Sequence, residues 1–271
     1  MTALQAILFD LDGVLYQDES AIAGAKEVVA WVREQGIPHM FLTNTTSRSR
    51  SAIVAKLQTM GIDISPQALL TPPTAAATWL SESGLRNIAL FVTESTASEF
   101  SAFSSGDEEG AVDAVVVGDL GERWDFATMN RAFRLLMSDR EPPLVALGMT
   151  RYWLAEGGLR LDVGPFVKAL EYATGREAVV MGKPALHYFQ AALSKLGIPA
   201  AQTLMIGDDI RGDVEGAQHV GMKALLVRTG KFRPADLSLG IQPAGVLDSV
   251  ADLPDWWRRY SGNTLSPTQA L

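Results

Sequence analysis

The 271-residue chain contains no cysteine. That absence excludes disulfides, thiolate-held metals and a cysteine nucleophile, whatever the redox compartment. Histidine is almost as scarce, and His39, His187 and His219 lie too far apart in sequence to read as a metal-binding cluster. No run of about 18 uncharged apolar residues occurs, so no stretch reads as a membrane span. The segment MTALQAILFDLDG has no basic residue ahead of its apolar run, and with no targeting signal in view a cytoplasmic location is the expectation. Basic residues are in deficit too: 23 against 31 acids leave a formal charge of −8, which argues against the broad phosphate footprint of nucleic-acid binding. What is present is ordinary for a folded protein. Hydrophobic residues make up 47% and charged residues 20%, far from disordered composition, and the length suits one large or two modest domains.

The apolar run Ala6-Ile7-Leu8-Phe9 stops abruptly at Asp10-Leu11-Asp12-Gly13, as a buried parallel strand stops at its carboxyl end. Ile22, Ala25, Val29 and Val32 then recur at helical spacing before Gly36, which is placed to close a helix. A second strand over Ile37 to Leu42 ends at Thr43-Asn44, and a second helix begins near Ser47 and closes at Gly61. The same alternation restarts near residue 80, with strands at Ile88 to Val92, Val112 to Val117 and Leu144 to Leu147 and a helix over Phe126 to Met137. After Pro184 come a helix over Leu186 to Leu196, a strand at Thr203 to Ile206, a helix through Val214 to Val220 and a strand at Ala224 to Val227. Repeated β-α-β-α order predicts an α/β protein, a Rossmann-like parallel sheet with ligands at the carboxyl ends of its strands. The expected division is a core of residues 1–79 and 182–271 with a smaller α/β domain, 80–181, inserted into it. Pro72-Pro73 and Gly182-Lys183-Pro184 fall near the crossings. The acidic stretch Gly106 to Gly110 reads as a solvated loop, the chain from Ser261 as a frayed tail, and Trp256-Trp257-Arg258-Arg259 as a helix packing its aromatics on the core.

The chemistry is carried by acids at strand ends. Asp10 and Asp12 lie two residues apart after the first strand, and Gly207-Asp208-Asp209-Ile210-Arg211-Gly212-Asp213 follows the Thr203 strand directly, so both groups should open onto one sheet edge. A single strand-end aspartate is most simply a turn or a helix cap. Carboxylates delivered to one place by two strands repel, and they are tolerated when one holds a proton or a divalent cation lies between them. Thr43-Asn44 adds a hydroxyl and an amide at a third strand end, and Lys183 adds a positive charge in a Gly-Lys-Pro turn. Together these groups supply what phosphoryl transfer requires: a nucleophile, an acid, a cation site and fixed donors for phosphate oxygens.

Asp10-Leu11-Asp12-Gly13-Val14, Thr43-Asn44, Gly182-Lys183-Pro184 and Gly207-Asp208-Asp209 with Asp213 resemble, in order, the four motifs of the haloacid dehalogenase superfamily, and the match spans the chain. The long insertion between the second and third motifs is similar to the C2-type cap of the NagD-like subgroup. Leu161 to Pro165, Lys168 to Ala173 and Val227 to Arg233 resemble a branch of that subgroup acting on pyrophosphate and N-phosphorylated amino acids. The resemblance implies Asp10 as the nucleophile that takes the phosphoryl group and Asp12 as general acid, then general base. It implies Mg²⁺ held by the Asp10 carboxylate, the Asp12 main-chain carbonyl and Asp208, with Asp209 and Asp213 in support. Thr43, the Asn44 main-chain N–H and Lys183 would hold the phosphate oxygens. It also implies a small phosphorylated substrate and a homodimer formed through the caps.

In the inserted region, Arg151 and Tyr152 follow the strand Leu144 to Leu147 and are candidates for reading the leaving group. Rival functions are a phospho-acceptor signalling domain without turnover, a phosphomutase and a catalytically inert binding protein. Asp12 and the inserted domain weigh against the first, and the intact motif set weighs against the last.

Overall fold

A computed structural model of the chain describes residues 3–106, 112–155 and 157–262. Contacts divide it into two units, residues 1–43, 51–70 and 192–271 in one and residues 44–50 and 71–191 in the other. Among the described residues no helix is long and apolar enough to cross a membrane.

The first unit is built on a six-stranded sheet in which every neighbouring pair is parallel. Across the sheet the strands run Gly245–Leu247, Lys223–Val227, Thr203–Gly207, Ala6–Asp10, His39–Leu42 and Leu69–Leu70. Numbered by their order in the chain, this is 6-5-4-1-2-3, the doubly wound arrangement, and its order reverses between the Ala6 and Thr203 strands. A crevice opens at such a reversal, because the connections leave on opposite faces of the sheet. Both strands at the reversal are buried at every residue, which accounts for their unbroken apolar sequences.

The helix Ala25–Glu34 covers this sheet with Ala25, Val28, Val29 and Val32. Ile22 precedes it rather than forming its first turn, because a short hairpin, Tyr16–Gln17 with Ser20–Ala21, occupies the chain after Gly13. The helix Leu253–Gly262 lays Trp256, Trp257 and Tyr260 against the same core, as the tryptophan pair predicts. Burying an aromatic of this kind contributes on the order of 2 kcal/mol. Ser261 and Gly262 are therefore helical, while the rest of the expected tail lies outside the described residues.

The second unit has its own five-stranded parallel sheet, ordered Val179–Val180, Leu144–Ala146, Ala114–Val117, Asn87–Phe91 and Ser104–Ser105. Pro72-Pro73 opens the helix Pro72–Glu82, where the prolines need no N–H partner and Thr71 and Thr74 close a reciprocal cap. A helix over Val163–Thr174, capped by Asp162, packs Val167 and Leu170 inward, and Trp124 stacks between Phe91 and Phe166. The acidic stretch from Gly106 to Gly110 lies, beyond Gly106, outside the described residues.

Candidate active site

At the reversal of the first sheet, the register pairs Phe9 with Ile206 and Asp10 with Leu42. Asp10 therefore ends its strand beside Asp208, the residue that follows the Thr203 strand on one side, and beside Thr43, which follows the His39 strand on the other. All three are buried. The chain after Asp208 turns at once into a wide helical turn, Ile210–Glu215, and then the helix Gly216–His219, in place of one helix through Val214 to Val220. That wide turn returns Asp213, fully buried, to the same place. One carboxylate oxygen from each of Asp10, Asp208 and Asp213 lies within 4.8 Å of the other two.

Each carboxylate is held by main chain. Asp10 accepts from the N–H of Leu11 at 2.7 Å, Asp208 from that of Lys231 at 2.7 Å, and Asp213 from that of Asp209 at 3.1 Å. Like charges this close repel by roughly 3–4 kcal/mol per pair at an effective dielectric of about 20. Three buried carboxylate oxygens form the donor set that a hard divalent cation prefers, and Mg²⁺ fits them. Asp209 has a different duty. Its Oδ1 accepts the N–H groups of Arg211 and Gly212 at 3.0 and 2.8 Å, capping the turn that carries Asp213, and its other oxygen lies 3.8 Å from the Lys231 ammonium.

Asp12 stands outside the trio. It is exposed, between buried Leu11 and Gly13, with Gly13 in the left-handed region at φ +79°. Glycine is required there twice over, since a Cβ on Gly13 would fall 2.1 Å from Asp208 Oδ2 and 2.9 Å from the Cα of Gly230.

In the second unit, Asn44 and Lys183 come together across 139 residues. The Asn44 side chain accepts the Lys183 N–H at 2.8 Å and donates to the Lys183 carbonyl at 2.9 Å, fixing the main chain on both sides of the lysine, just before a cis Lys183–Pro184 bond. The loop 44–50 is bolted down as well. Thr46 and Ser47 carbonyls accept from Thr96 and Ser95 hydroxyls, and Arg50 pairs with Glu99 at 3.0 Å. Arg151 and Tyr152, both exposed, stand at the open end of a hairpin, Tyr152–Ala155 with Gly158–Leu161, where the Arg151 carbonyl accepts from Asp162 N–H. Burial, with the charge of Asp119 adding to it, raises the Asp162 carboxyl above its ordinary value.

From sequence, Thr229, Gly230 and Lys231 figure only within the resemblance of Val227 to Arg233, with no part at the site. They follow the Lys223–Val227 strand and close on both Gly13 and Asp208. The available signal was a glycine after a polar residue, three positions beyond the end of a buried strand, as Gly13 follows Asp12 three positions beyond Asp10.

A haloacid dehalogenase-like hydrolase model matches residues 7–104, and a second model of the same kind matches residues 180–253. The chain is 42% identical over 260 residues, 94% of each chain, to phospholysine phosphohistidine inorganic pyrophosphate phosphatase of Homo sapiens. Among solved structures it resembles the p-nitrophenyl phosphatase of Archaeoglobus fulgidus, with a TM-score of 0.85 and 26% identity over 94% of this chain and 100% of that one. NagD from Escherichia coli shares the fold, at a TM-score of 0.84 and 23% identity over 93% and 98% of the two chains.

Proposed function

The chain belongs to the haloacid dehalogenase-like hydrolases and is a phosphatase; from that premise we propose that it is of their NagD-like group and hydrolyses small phosphorylated compounds through a phosphoryl group carried on Asp10, with Mg²⁺ as cofactor. The observation that carries this reading is the convergence of Asp10, Asp208 and Asp213 at the sheet reversal, with Asp12 two residues beyond Asp10. When bound there, Mg²⁺ offsets the repulsion of the carboxylates and lends positive charge to the substrate's phosphate.

In the first half-reaction an Asp10 carboxylate oxygen forms a bond to phosphorus while the bond from phosphorus to the leaving atom breaks. Asp12 gives that atom its proton. In the second, Asp12, now a carboxylate, takes a proton from water as the water oxygen attacks phosphorus. Phosphate leaves and Asp10 is regenerated. Thr43, the Asn44 N–H and Lys183 serve the phosphate oxygens, and the two bonds that hold the Lys183 main chain support its part in that set. Residues 1–79 and 182–271 act as the catalytic core and 80–181 as the cap, where Arg151 and Tyr152 read the leaving group. Pyrophosphate, phosphohistidine and phospholysine head the substrate class, because a relative with 42% identity is named for them. The protein works as a cytoplasmic homodimer joined through its caps.

The test compares wild type with Asp10→Asn on p-nitrophenyl phosphate, with and without Mg²⁺, and screens phosphorylated metabolites that include pyrophosphate and phosphohistidine. Turnover that survives in Asp10→Asn refutes the nucleophile, and an acyl phosphate that forms without phosphate release points to a signalling switch instead.

A further inference from the structure

The segment beyond the Lys223–Val227 strand has no part in the bond-making steps, yet it grips Asp208 and the glycine that follows Asp12. Thr229 Oγ1 donates to the Gly13 carbonyl at 2.5 Å, and the Lys231 N–H donates to Asp208 at 2.7 Å. On the other side of Gly13, its own N–H donates to the Tyr16 carbonyl at 2.7 Å. The peptide before Gly13 is thus held by its bond to Tyr16, and the peptide after it by the Thr229 hydroxyl together with a longer bond from the Val14 N–H to the Leu11 carbonyl at 3.3 Å. This matters because a left-handed glycine is the least constrained link in a chain, and Asp12 is joined directly to it. Asp12 is exposed, so the aim of its carboxylate is set by the backbone beneath it. Removing the Thr229 hydroxyl leaves the second of these peptides only the long 3.3 Å bond within its own turn, and so loosens the Asp12 turn about Gly13.

We propose that Thr229 is a positioning residue for Asp12, holding the acid within reach of the leaving atom; the inference rests on the assignment of Asp12 as general acid. Proton donation demands an approach of about 3 Å and contributes about 10²- to 10⁴-fold to rate, so a loosened acid forfeits part of that factor. The loss depends on the leaving group. A weakly basic one such as p-nitrophenolate departs with little help, whereas phenolate needs its proton.

The experiment measures kcat/KM, which reports events up to departure of the leaving group, for p-nitrophenyl phosphate and phenyl phosphate. In Thr229→Val we expect a fall of about 10-fold on phenyl phosphate and less than about 3-fold on p-nitrophenyl phosphate. Thr229→Ser, which restores the hydroxyl, should recover both. Thr229→Ala serves the same purpose if the valine variant does not fold. A purely structural role would lower both substrates by one factor, and that result overturns the proposal. Asp12→Ala separates the two levels of the argument. If it fails to discriminate between the substrates, the assignment of Asp12 is wrong and the inference falls with it. If Asp12→Ala discriminates and the Thr229 variants do not, the assignment stands and the positioning role is refuted.

Discussion

Replacing Gly230 with alanine tests how tightly the Asp208 carboxylate is boxed. Gly230 lies at φ +66°, and a Cβ added to it would sit 2.1 Å from Asp208 Oδ2 and 2.6 Å from the Cα of Gly13. The backbone conformation alone costs an L-residue about 1–2 kcal/mol. The contact adds a second effect, because Asp208 has to retreat by roughly 1 Å to reach an ordinary distance, and a displacement of that size at a reacting centre costs on the order of 10²-fold in rate. Gly36 supplies the control: it lies at φ +62° with nothing within 4 Å of an added Cβ, so Gly36→Ala carries the backbone strain without the collision. Both variants should melt lower, by about 2–4 °C per kcal/mol lost. Only Gly230→Ala should lose about 10²-fold in kcat/KM on p-nitrophenyl phosphate and need more Mg²⁺ for half-maximal rate. Equal activity of the two variants would refute the claim that glycine is needed there to seat Asp208.

Mg²⁺ should raise the melting temperature of the wild type, since occupancy at about 100 times the dissociation constant adds about 2.7 kcal/mol; calorimetry with and without a chelator reads this, and an unchanged midpoint counts against a cation at the carboxylates. Asp213→Asn removes one of three buried charges and should raise the Mg²⁺ concentration for half-maximal rate by at least about 10-fold while leaving the protein folded, as a metal titration of activity would show. Asn44→Ala frees the Lys183 main chain from both of its bonds and should weaken inhibition by inorganic phosphate by about 10-fold. Asp113 accepts the N–H groups of Asn87 and Arg86, with Arg140 at 3.1 Å, and these hold its carboxyl below the ordinary 3.8. Its stabilisation is present above the unfolded value and lost as pH falls through the folded one. Asp113→Asn should therefore lower stability at pH 7, by less than about 1 kcal/mol for a half-buried group whose ion-pair partner Arg140 is exposed, and make no difference in strong acid, as denaturant curves at the two pH values would report.

Much of the first sheet was legible because buried parallel strands announce themselves as apolar runs that stop at polar residues, as Ala6–Asp10 and Thr203–Gly207 do. What escaped were elements whose stability is not written locally. The strands Tyr16–Gln17 and Ser20–Ala21 have two residues each, too few for any period to show. Pro72-Pro73 reads as lying near a crossing, and contacts do divide between Leu70 and Thr71; that it also starts a helix was not legible, though proline in a first turn has no partner to lose. At the candidate site, Asp10 and Asp208 were readable from strand ends. The meeting of Asp213 with both depended on the wide turn Ile210–Glu215, and the grip of Thr229 on Gly13 joins residues 216 apart, a distance over which local pattern is silent.

The clasp between Asn44 and Lys183 bears on how such a protein can change over evolutionary time. Its two bonds close a loop of 138 residues, within which residues 51–70 belong to the first unit and the rest to the second. A loop closed at its base can grow at little expense, since doubling its length adds only about 0.6 kcal/mol of closure entropy. Sequence in the part of the loop outside residues 51–70 can thus be lengthened or shortened while the lysine's main chain keeps its anchor. One part of the gene can vary in this way without altering the strands that deliver Asp10 and Asp208.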